Sequence, residues 1–198
     1  MVTITPAQPY HLLQMQHTNL LCLPENYQLK YYLYHSLTWP QLLYVALDGG
    51  KVVGYVLGKM DEDEGKERHG HITSLAVLRT HRKRGIATML MRSTQRRMAA
   101  VFKAQYVSLH VRESNSAAYH LYNETLGYVK YDKEKGYYAD GEDAWDMRCY
   151  FQENMEEDEY QKAISRKWDG NNNGEAVDES STNDAEEEVT DGVEKMKV

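Results

Sequence analysis

Hydrophobic and polar positions in the first part of the chain predict a short strand, two helices and a hairpin. ITPA near the N-terminus predicts the strand. Residues 9–23 and 28–37 carry apolar side chains at helical spacing. The second of these segments ends before Trp39-Pro40, because a residue that precedes proline avoids helical geometry. LLYVALDGGKVVGYVLGKM predicts two strands joined by a turn at residues 48–50.

Strands alternate with helices in the pattern that follows. HITSLAVL, a largely apolar run between polar loops, predicts a buried central strand. YVSLHV predicts another strand, and SNSAAYHLYNETLG predicts a helix that stops at Gly127. Residues 128–131 and 144–150 predict two closing strands around the loop KEKGYYADGED. A long helix is predicted over residues 85–102, with one apolar face. That face consists of Ala87, Leu90, Met91, Thr94, Met98, Val101 and Phe102.

This order of elements predicts an α/β fold with a central mixed sheet of about seven strands and four helices. Strand–helix–strand units require some parallel pairing, whereas the Asp-Gly-Gly turn requires an antiparallel hairpin. A mixed sheet with helices on both faces satisfies both requirements.

Charge divides the chain into a body and a tail. The formal net charge is −7 over 198 residues. Residues 153–198 hold fifteen acids and five bases, whereas residues 1–152 hold fifteen acids and eighteen bases. The tail has few large apolar groups, so it cannot bury enough surface to offset the entropy of ordering it. We therefore predict one domain over residues 1–152 and a largely disordered acidic tail over 153–198, with a short polar helix at 154–168.

Composition argues against several classes of protein. No run of eighteen apolar residues is present, so no membrane span is expected. MVTITPAQPYHLLQMQ lacks a basic region followed by an apolar one, which argues against a secretory signal. Cys22 and Cys149 lie in apolar sequence and are expected to be free thiols of a reducing compartment. No CxxC or HxxxH spacing supports a metal site.

The stretch RKRGIA, residues 82–87, crowds cations against a glycine where the long helix should begin. A helix N-terminus presents unpaired N–H groups and about half a positive charge, and glycine lets a ligand approach the backbone closely. The stretch therefore describes a diphosphate cradle. Taken alone, a basic turn that happens to start a helix explains it equally well. It is not a P-loop, and it lacks GxGxxG as well.

Arg82-x-x-Gly85-x-Ala87 resembles the pyrophosphate motif of the GNAT superfamily of N-acetyltransferases, which bind acetyl-coenzyme A. ITSLAV resembles that family's signature strand, whose backbone pairs with pantetheine. Positions on the family's later helix are matched by Asn115, Ala118 and Tyr122. Within the family, LLCLPENY, HGHITSLAV, YVSLHVR and YYADGEDA resemble the catalytic subunits of NatA-type N-terminal acetyltransferases, over about three quarters of the chain.

The resemblance implies the GNAT acyl-CoA N-acyltransferase fold, with acetyl-CoA as co-substrate and no metal. Backbone N–H groups of Leu75 and Val77 would bind pantetheine and polarise the thioester carbonyl, because preorganised donors stabilise developing negative charge. The implied cofactor-binding residues are Leu75, Ala76, Val77, Arg82, Lys83, Arg84, Gly85, Ile86, Ala87, Asn115, Ala118 and Tyr122.

The implied reaction is attack by an α-amine on a thioester. An α-ammonium has a pKa near ~7.7–8.0, so a nearby base need only remove or relay one proton. The resemblance places Glu25 over the substrate amine, although from the residues alone a surface glutamate is the simpler interpretation. The implied catalytic residues are Glu25, His71, Arg112, Tyr122 and Tyr138, with His110 as a further candidate. The implied substrate-binding residues are Leu23, Pro24, Glu25, Tyr27, Tyr137 and Tyr138.

Each of these candidates has a structural alternative. His71 and His110 can relay a proton, or they can be hydrogen-bonded core histidines. Arg112 can hold Glu25 or the peptide through a forked contact, or it can be a surface charge at a strand end. Tyr122 can donate a proton to the leaving thiolate, or it can be one more tyrosine on a helix face.

By this resemblance the substrates are nascent chains after methionine removal, with Ser, Ala, Thr, Gly, Val or Cys first. The implied partner is a large helical-repeat (TPR) auxiliary subunit that docks near the ribosomal exit tunnel. We then expect the protein in the cytoplasm, associated with the ribosome, and a nuclear fraction is also allowed. We expect no membrane and no specific nucleic acid among its partners. Two other functions are the alternatives. One is an enzyme that acetylates lysine or a small amine, and the other is a non-catalytic subunit that binds the cofactor. The first two helices are crowded with apolar and aromatic groups, so either some of these groups face another chain or all of them fill one core with tyrosine hydroxyls at its rim. The groups are Leu20, Leu21, Tyr31, Tyr32, Leu33 and Tyr34.

Overall fold

One seven-stranded mixed sheet organises the part of the chain that the computed structural model describes, residues 1–61 and 67–151. The strands are β1 (Thr3–Pro6), β2 (Leu43–Asp48), β3 (Lys51–Asp61), β4 (His69–Val77), β5 (Tyr106–Arg112), β6 (Val129–Glu134) and β7 (Ala144–Tyr150). Their order in the sheet is β1-β2-β3-β4-β5-β7-β6. The expected acidic tail, its boundary and the helix at 154–168 lie outside the described residues.

Helices cover both faces of this sheet, which confirms the mixed α/β fold class. They are α1 (Leu12–Cys22), α2 (Leu29–Thr38), α3 (Ile86–Ala100) and α4 (Ser116–His120). Helices α1 and α2 pack on one face, where Met15, Tyr32 and Tyr55 are fully buried. Helix α3 packs on the other face through Leu90 and Met98. Within the described ranges, no helix is long and apolar enough to cross a bilayer.

The split between β4 and β5 is the feature that positions the site. These strands pair in parallel, but the pairing runs only from His69 opposite Tyr106 to Ile72 opposite Leu109. Beyond that point β4 continues to Val77 and β5 continues to Arg112. The two strand ends therefore leave a gap in the middle of the sheet, with backbone groups that are not used by the β4–β5 ladder.

Two predicted helices differ from their sequence pattern. Helix α3 ends at Ala100 because the chain turns through Lys103, whose φ is 55°. Val101, expected on the buried face, is therefore 49% exposed. Gln95, which the apolar pattern omitted, is buried there and donates to the Tyr128 hydroxyl.

The helix predicted through SNSAAYHLYNETLG is α-helical only over its first part. A π-helical turn covers Leu121–Thr125, with the Leu126 N–H donating to the Leu121 carbonyl over 3.1 Å. Gly127 then ends the helix with a φ of 75°, as predicted. π-Turns often mark functional sites, and this one carries the buried Tyr122.

Candidate active site

A cavity of about 220 Å³ occupies the gap between β4 and β5. The α1–α2 loop (residues 23–28) and the β6–β7 loop (residues 135–143) border it, and we call these the roof loops. The cavity brings together most of the residues singled out from the sequence. Those that line it are Leu23, Pro24, Glu25, Tyr27, His71, Leu75, His110, Arg112, Asn115, Ala118, Tyr122, Tyr137 and Tyr138.

The remaining candidates for cofactor binding lie at the end of β4 and the start of α3. Gly85 adopts a left-handed conformation with φ 73°, and a Cβ built there meets nothing within 4 Å. Lys83 and Arg84 are exposed beside it. No side chain caps the start of α3, and its first turn holds no acid. An open, cationic helix N-terminus of this kind fits a diphosphate.

Other cofactor-binding candidates offer only their backbone or support the cradle, by which we mean residues 82–87. Ile86 and Ala76 are buried in the two cores, so their side chains are not available to a ligand. The Arg82 Nε donates to the Val77 carbonyl over 3.0 Å, which ties the cradle to the end of β4.

The π-helical turn places Tyr122 against the cavity from the α4 side. Burial raises the pKa of its hydroxyl to about 12, so the hydroxyl keeps its proton at neutral pH. Asn115 caps α4, because its Oδ1 accepts from the Ala118 N–H over 3.1 Å. Asn115 and Ala118 thus line the cavity and shape the helix start at the same time.

The roof loops meet at Arg112, where β5 ends. Its Nε and Nη2 donate to Glu25 Oε1 over 2.9 and 2.6 Å. Its Nη1 donates to Asp140 Oδ2 over 2.8 Å and to Glu142 Oε2 over 2.6 Å. We call these four residues the charged clasp. Burial opposes the Arg112 charge, but the hydrogen bonds that Arg112 donates to Glu142, Glu25 and Asp140 outweigh it and hold the pKa of Arg112 above its ordinary value.

Aromatic rings complete the wall beneath the clasp. The Tyr138 ring lies under the guanidinium, 4.0 Å from its central carbon. Tyr27 stacks on Tyr31 with ring centroids 4.8 Å apart, and burial raises the pKa of Tyr27. His35 lies behind Tyr31, where its Nδ1 donates to the Tyr31 carbonyl and its Nε2 faces the Thr73 hydroxyl.

Two histidines face the cavity from the strands. The rings of His71 and His110 lie 5.5 Å apart. His71 Nδ1 is 2.9 Å from the Ser108 hydroxyl. His110 Nε2 donates to Glu134 over 2.8 Å, and its ring stacks on Tyr137. With a proton on Nε2, the Nδ1 of His110 carries a lone pair and can accept a proton.

Several residues at the site were missed from the sequence. Tyr31, Lys59 and Thr73 line the cavity, and Asp140 and Glu142 belong to the clasp. Tyr27, Tyr31 and His35 are spaced four residues apart, a helical spacing that could have predicted contact between these three rings. The acids in DGED carry no such period. Among the described residues, no cluster of three or more His, Cys, Asp or Glu suits a metal ion.

The split mixed sheet, the cationic helix start and the cleft opposite define the class as α/β enzymes that bind a diphosphate-bearing ligand. The chain belongs to the acetyltransferase (GNAT) family, whose model matches residues 10–128.

Relatives within the family carry the comparison further. The chain is 66% identical over 149 residues to the N-terminal acetyltransferase A complex catalytic subunit NAA10 of Arabidopsis thaliana, covering 75% of this chain and 77% of that one. It is 57% identical over 148 residues to the N-alpha-acetyltransferase daf-31 of Caenorhabditis elegans, covering 74% of this chain and 81% of the relative.

Solved structures share the architecture. The NatC complex bound to Gag peptide and CoA contains a chain with a TM-score of 0.71 and 26% identity, covering 76% of this chain and 99% of that one. The NatB complex bound to CoA and MES contains a chain with a TM-score of 0.67 and 32% identity, over the same shares.

Proposed function

We propose that this protein is an N-α-acetyltransferase that transfers acetyl from acetyl-CoA to the α-amine of proteins whose first methionine has been removed. The observation that carries the proposal is the charged clasp. It joins the two roof loops through Arg112, with contacts of 2.6 to 2.9 Å to Glu25 and Glu142. A cleft closed in this way accepts the end of a chain and obstructs a chain that passes straight through.

Acetyl-CoA binding is assigned to the cradle and to the free end of β4. The cradle N–H groups and cations hold the diphosphate. The N–H groups of Leu75 and Val77 hold pantetheine and the thioester oxygen. The comparison with chains of CoA-bound Nat complexes supports this assignment.

The chemical step follows from the groups that face the cavity. The α-ammonium gives up a proton to Glu25 or, through His71 or His110, to solvent. The amine nitrogen then forms a bond to the thioester carbonyl carbon and the carbon–sulfur bond breaks. The second proton of the nitrogen passes to the leaving thiolate as the amide forms. Tyr122 keeps its proton at neutral pH, so it can hydrogen-bond or protonate the leaving sulfur.

Small first residues are assigned to the space beside the α1–α2 loop. Leu23, Pro24 and Tyr27 form an apolar wall there, and Tyr137 and Tyr138 face it from the other roof loop. A shallow apolar wall suits Ser, Ala, Thr, Gly, Val or Cys as the first residue.

A large helical-repeat auxiliary subunit is the proposed partner, and through it the ribosome near the exit tunnel, in the cytoplasm. Exposed apolar side chains on α1 and α2 support a partner surface. They are Leu13, Leu20, Leu21, Leu33, Tyr34 and Leu37. Tyr31 and Tyr32, from the same crowded set, fill the core. The relative named as a catalytic subunit of a complex supports the same assignment.

The test is acetyl transfer by the full chain, alone and with the auxiliary subunit. The peptides begin with Ser, Asp or Met, and an N-blocked lysine peptide is the comparison. We expect turnover on the Ser peptide that rises with the partner. Turnover on the lysine peptide alone would contradict the substrate assignment and retain the cofactor site. Absence of turnover with acetyl-CoA bound would favour a non-catalytic subunit.

A further inference from the structure

Glu142 makes contacts in two directions from the β6–β7 loop. Its Oε2 accepts from Arg112 Nη1 over 2.6 Å. Its Oε1 accepts from the Ser114 backbone N–H over 2.9 Å. One carboxylate thus binds the arginine that holds Glu25 and also binds the backbone one residue before Asn115, the cap of α4.

The backbone of Glu142 also shapes the turn above the cavity. Its carbonyl accepts from the Tyr138 N–H over 3.1 Å, and the Gly141 N–H donates to the Tyr138 carbonyl over 2.8 Å. These bonds fix the turn that sets Tyr138 under the Arg112 guanidinium. Both the side chain and the backbone of Glu142 therefore determine where the Arg112 guanidinium and the Tyr138 ring lie.

Asp140 does not share this double role. It also contacts Arg112, but its side chain is 59% exposed, against 28% for Glu142. Its remaining partner is the N–H of Glu142 within the same turn. Hydrogen bonds from Ser114 first, and then from Arg112, lower the pKa of Glu142 to about 2, so it is charged throughout the working pH range.

We propose that Glu142 is a positioning residue for acetyl transfer: it orients Arg112 so that Arg112 presents Glu25 to the substrate amine. The proposal rests on the proposed function, because the amine is the substrate of that same site. Glu142 is not among the residues that line the cavity, so it acts through Arg112 and Glu25. A small displacement of a reacting group lowers rate steeply, on the order of a hundredfold per ångström in sensitive cases.

The test is a double-mutant cycle in the full chain, assayed with its auxiliary subunit on a Ser-initiated peptide. Glu142→Gln keeps an acceptor for Ser114 and removes the charge that pairs with Arg112, and we expect it to lower kcat/KM for the peptide about tenfold. The same change in a Glu25→Gln background should lower it less than about twofold, because residues that act through one another are non-additive. The KM for acetyl-CoA should stay within about twofold of wild type.

Glu113→Gln is the matched control. Glu113 follows Arg112 directly and pairs with Lys133 over 3.0 Å at the surface. It has the same chemistry without a contact to the clasp, so its kcat/KM should equal that of the wild type. Additive losses from Glu25→Gln and Glu142→Gln would overturn the proposal. It would also be overturned if Glu142→Gln weakened acetyl-CoA binding as much as it lowered kcat/KM for the peptide.

Hydrogen exchange supplies a readout that does not depend on turnover. Without Glu142, Arg112 loses one of the partners that orient it, so the α1–α2 loop that Arg112 holds through Glu25 is less constrained. Amides of residues 23–28 should therefore exchange faster in Glu142→Ala than in Glu113→Gln. Unchanged exchange in that loop would overturn the positioning role. Failure of the wild type to acetylate any peptide would instead overturn the proposed function, and the exchange experiment would still decide the role of Glu142.

Discussion

The two sides of the cavity are built on different principles. On the cofactor side, six consecutive residues, 82–87, form the cradle. Arg82 links the cradle to β4 by donating to a backbone carbonyl of that strand. On the peptide side, the clasp draws four side chains from three separate segments, and Arg112 and Glu25 are 87 positions apart. The first side depends on local backbone conformation, whereas the second depends on long-range charge pairing.

The two sides of the cavity therefore tolerate different substitutions. A backbone cradle is insensitive to the identity of most side chains but sensitive to anything that fills its space or alters its φ. A side-chain clasp is sensitive to the loss of single charges, because each removal leaves a partly buried partner without its counter-charge. Each side can therefore be tested separately by the kind of change to which it is sensitive.

Gly85→Arg should break the cofactor side and have the largest effect. The new side chain would occupy the open space before α3 at a φ of 73° and block the diphosphate. Loss of two charge-assisted hydrogen bonds weakens acetyl-CoA binding by about 1,000-fold, measured by calorimetry. Gly136→Arg is the control, since Gly136 has a φ of 62° and equal open space but lies in the β6–β7 loop. Retained binding by Gly85→Arg would rule out the cradle.

Acid should weaken the peptide side through His35. Burial first of all lowers the pKa of this histidine from 6.5 to about 4, although its hydrogen bond to Tyr31 opposes the shift. The unfolded chain therefore binds a proton that the folded chain excludes as pH falls from 6.5 to 4, and up to about 3 kcal/mol of stability is lost. Urea unfolding at several pH values should show this slope.

His35→Gln should flatten that slope, whereas exposed His17→Gln should leave it unchanged. An unaltered slope in His35→Gln would mean that other groups cause the acid sensitivity. Glu142, whose pKa is lowered from 4.5 to about 2, loses its contribution as pH falls through that lower range, so it affects the slope mainly below the range of His35.

Glu25→Gln should break the peptide side while the cofactor side stays intact. Loss of the carboxylate beside the substrate amine should lower kcat by about 100-fold, with acetyl-CoA affinity unchanged. Steady-state kinetics on a Ser-initiated peptide and calorimetry with acetyl-CoA measure the two quantities. Unchanged kcat would remove Glu25 from the mechanism without affecting the fold.

Tyr122→Phe should have the smallest effect, and it tests the border between the two sides. The lost hydroxyl is buried in the π-helical turn, and its removal should lower kcat about tenfold with little change in peptide KM. Exposed Tyr10→Phe serves as the control. A rise in peptide KM with unchanged kcat would assign Tyr122 to substrate binding instead of leaving-group stabilisation.

The sequence allowed the position of the cradle, at the start of α3 directly after β4, to be predicted. RKRGIA signals a cradle because close approach to a glycine backbone and helix-terminal charge are local properties, and the structure places Gly85 directly before α3 with open space around it. The order of strands and helices also followed from local periodicity. Acetylation of particular substrates, the tail and the roles of individual site residues remain predictions.

The clasp could not be derived from pattern alone. Glu25 and Arg112 were singled out through resemblance, but Asp140 and Glu142 have no periodicity that links them to Arg112. Their contacts depend on the β5–β7 pairing that sets Arg112 opposite Ala144, which brings the β6–β7 loop to the end of β5. The π-helical turn was missed for a related reason, because a one-residue expansion of a helix leaves only a weak trace in apolar spacing.

The gap between β4 and β5 would also link the stability of the fold to metabolite supply. Strand edges inside a sheet are normally paired, and a bound pantetheine arm would take the place of the missing strand. A ligand at one hundred times its dissociation constant stabilises the folded state by about 2.7 kcal/mol. When acetyl-CoA falls, the fraction of unfolded chain rises, and cellular proteases that remove unfolded chains would then lower the amount of enzyme. The same split that admits the substrate would thus let the cell's acetyl-CoA level set how much of this protein persists.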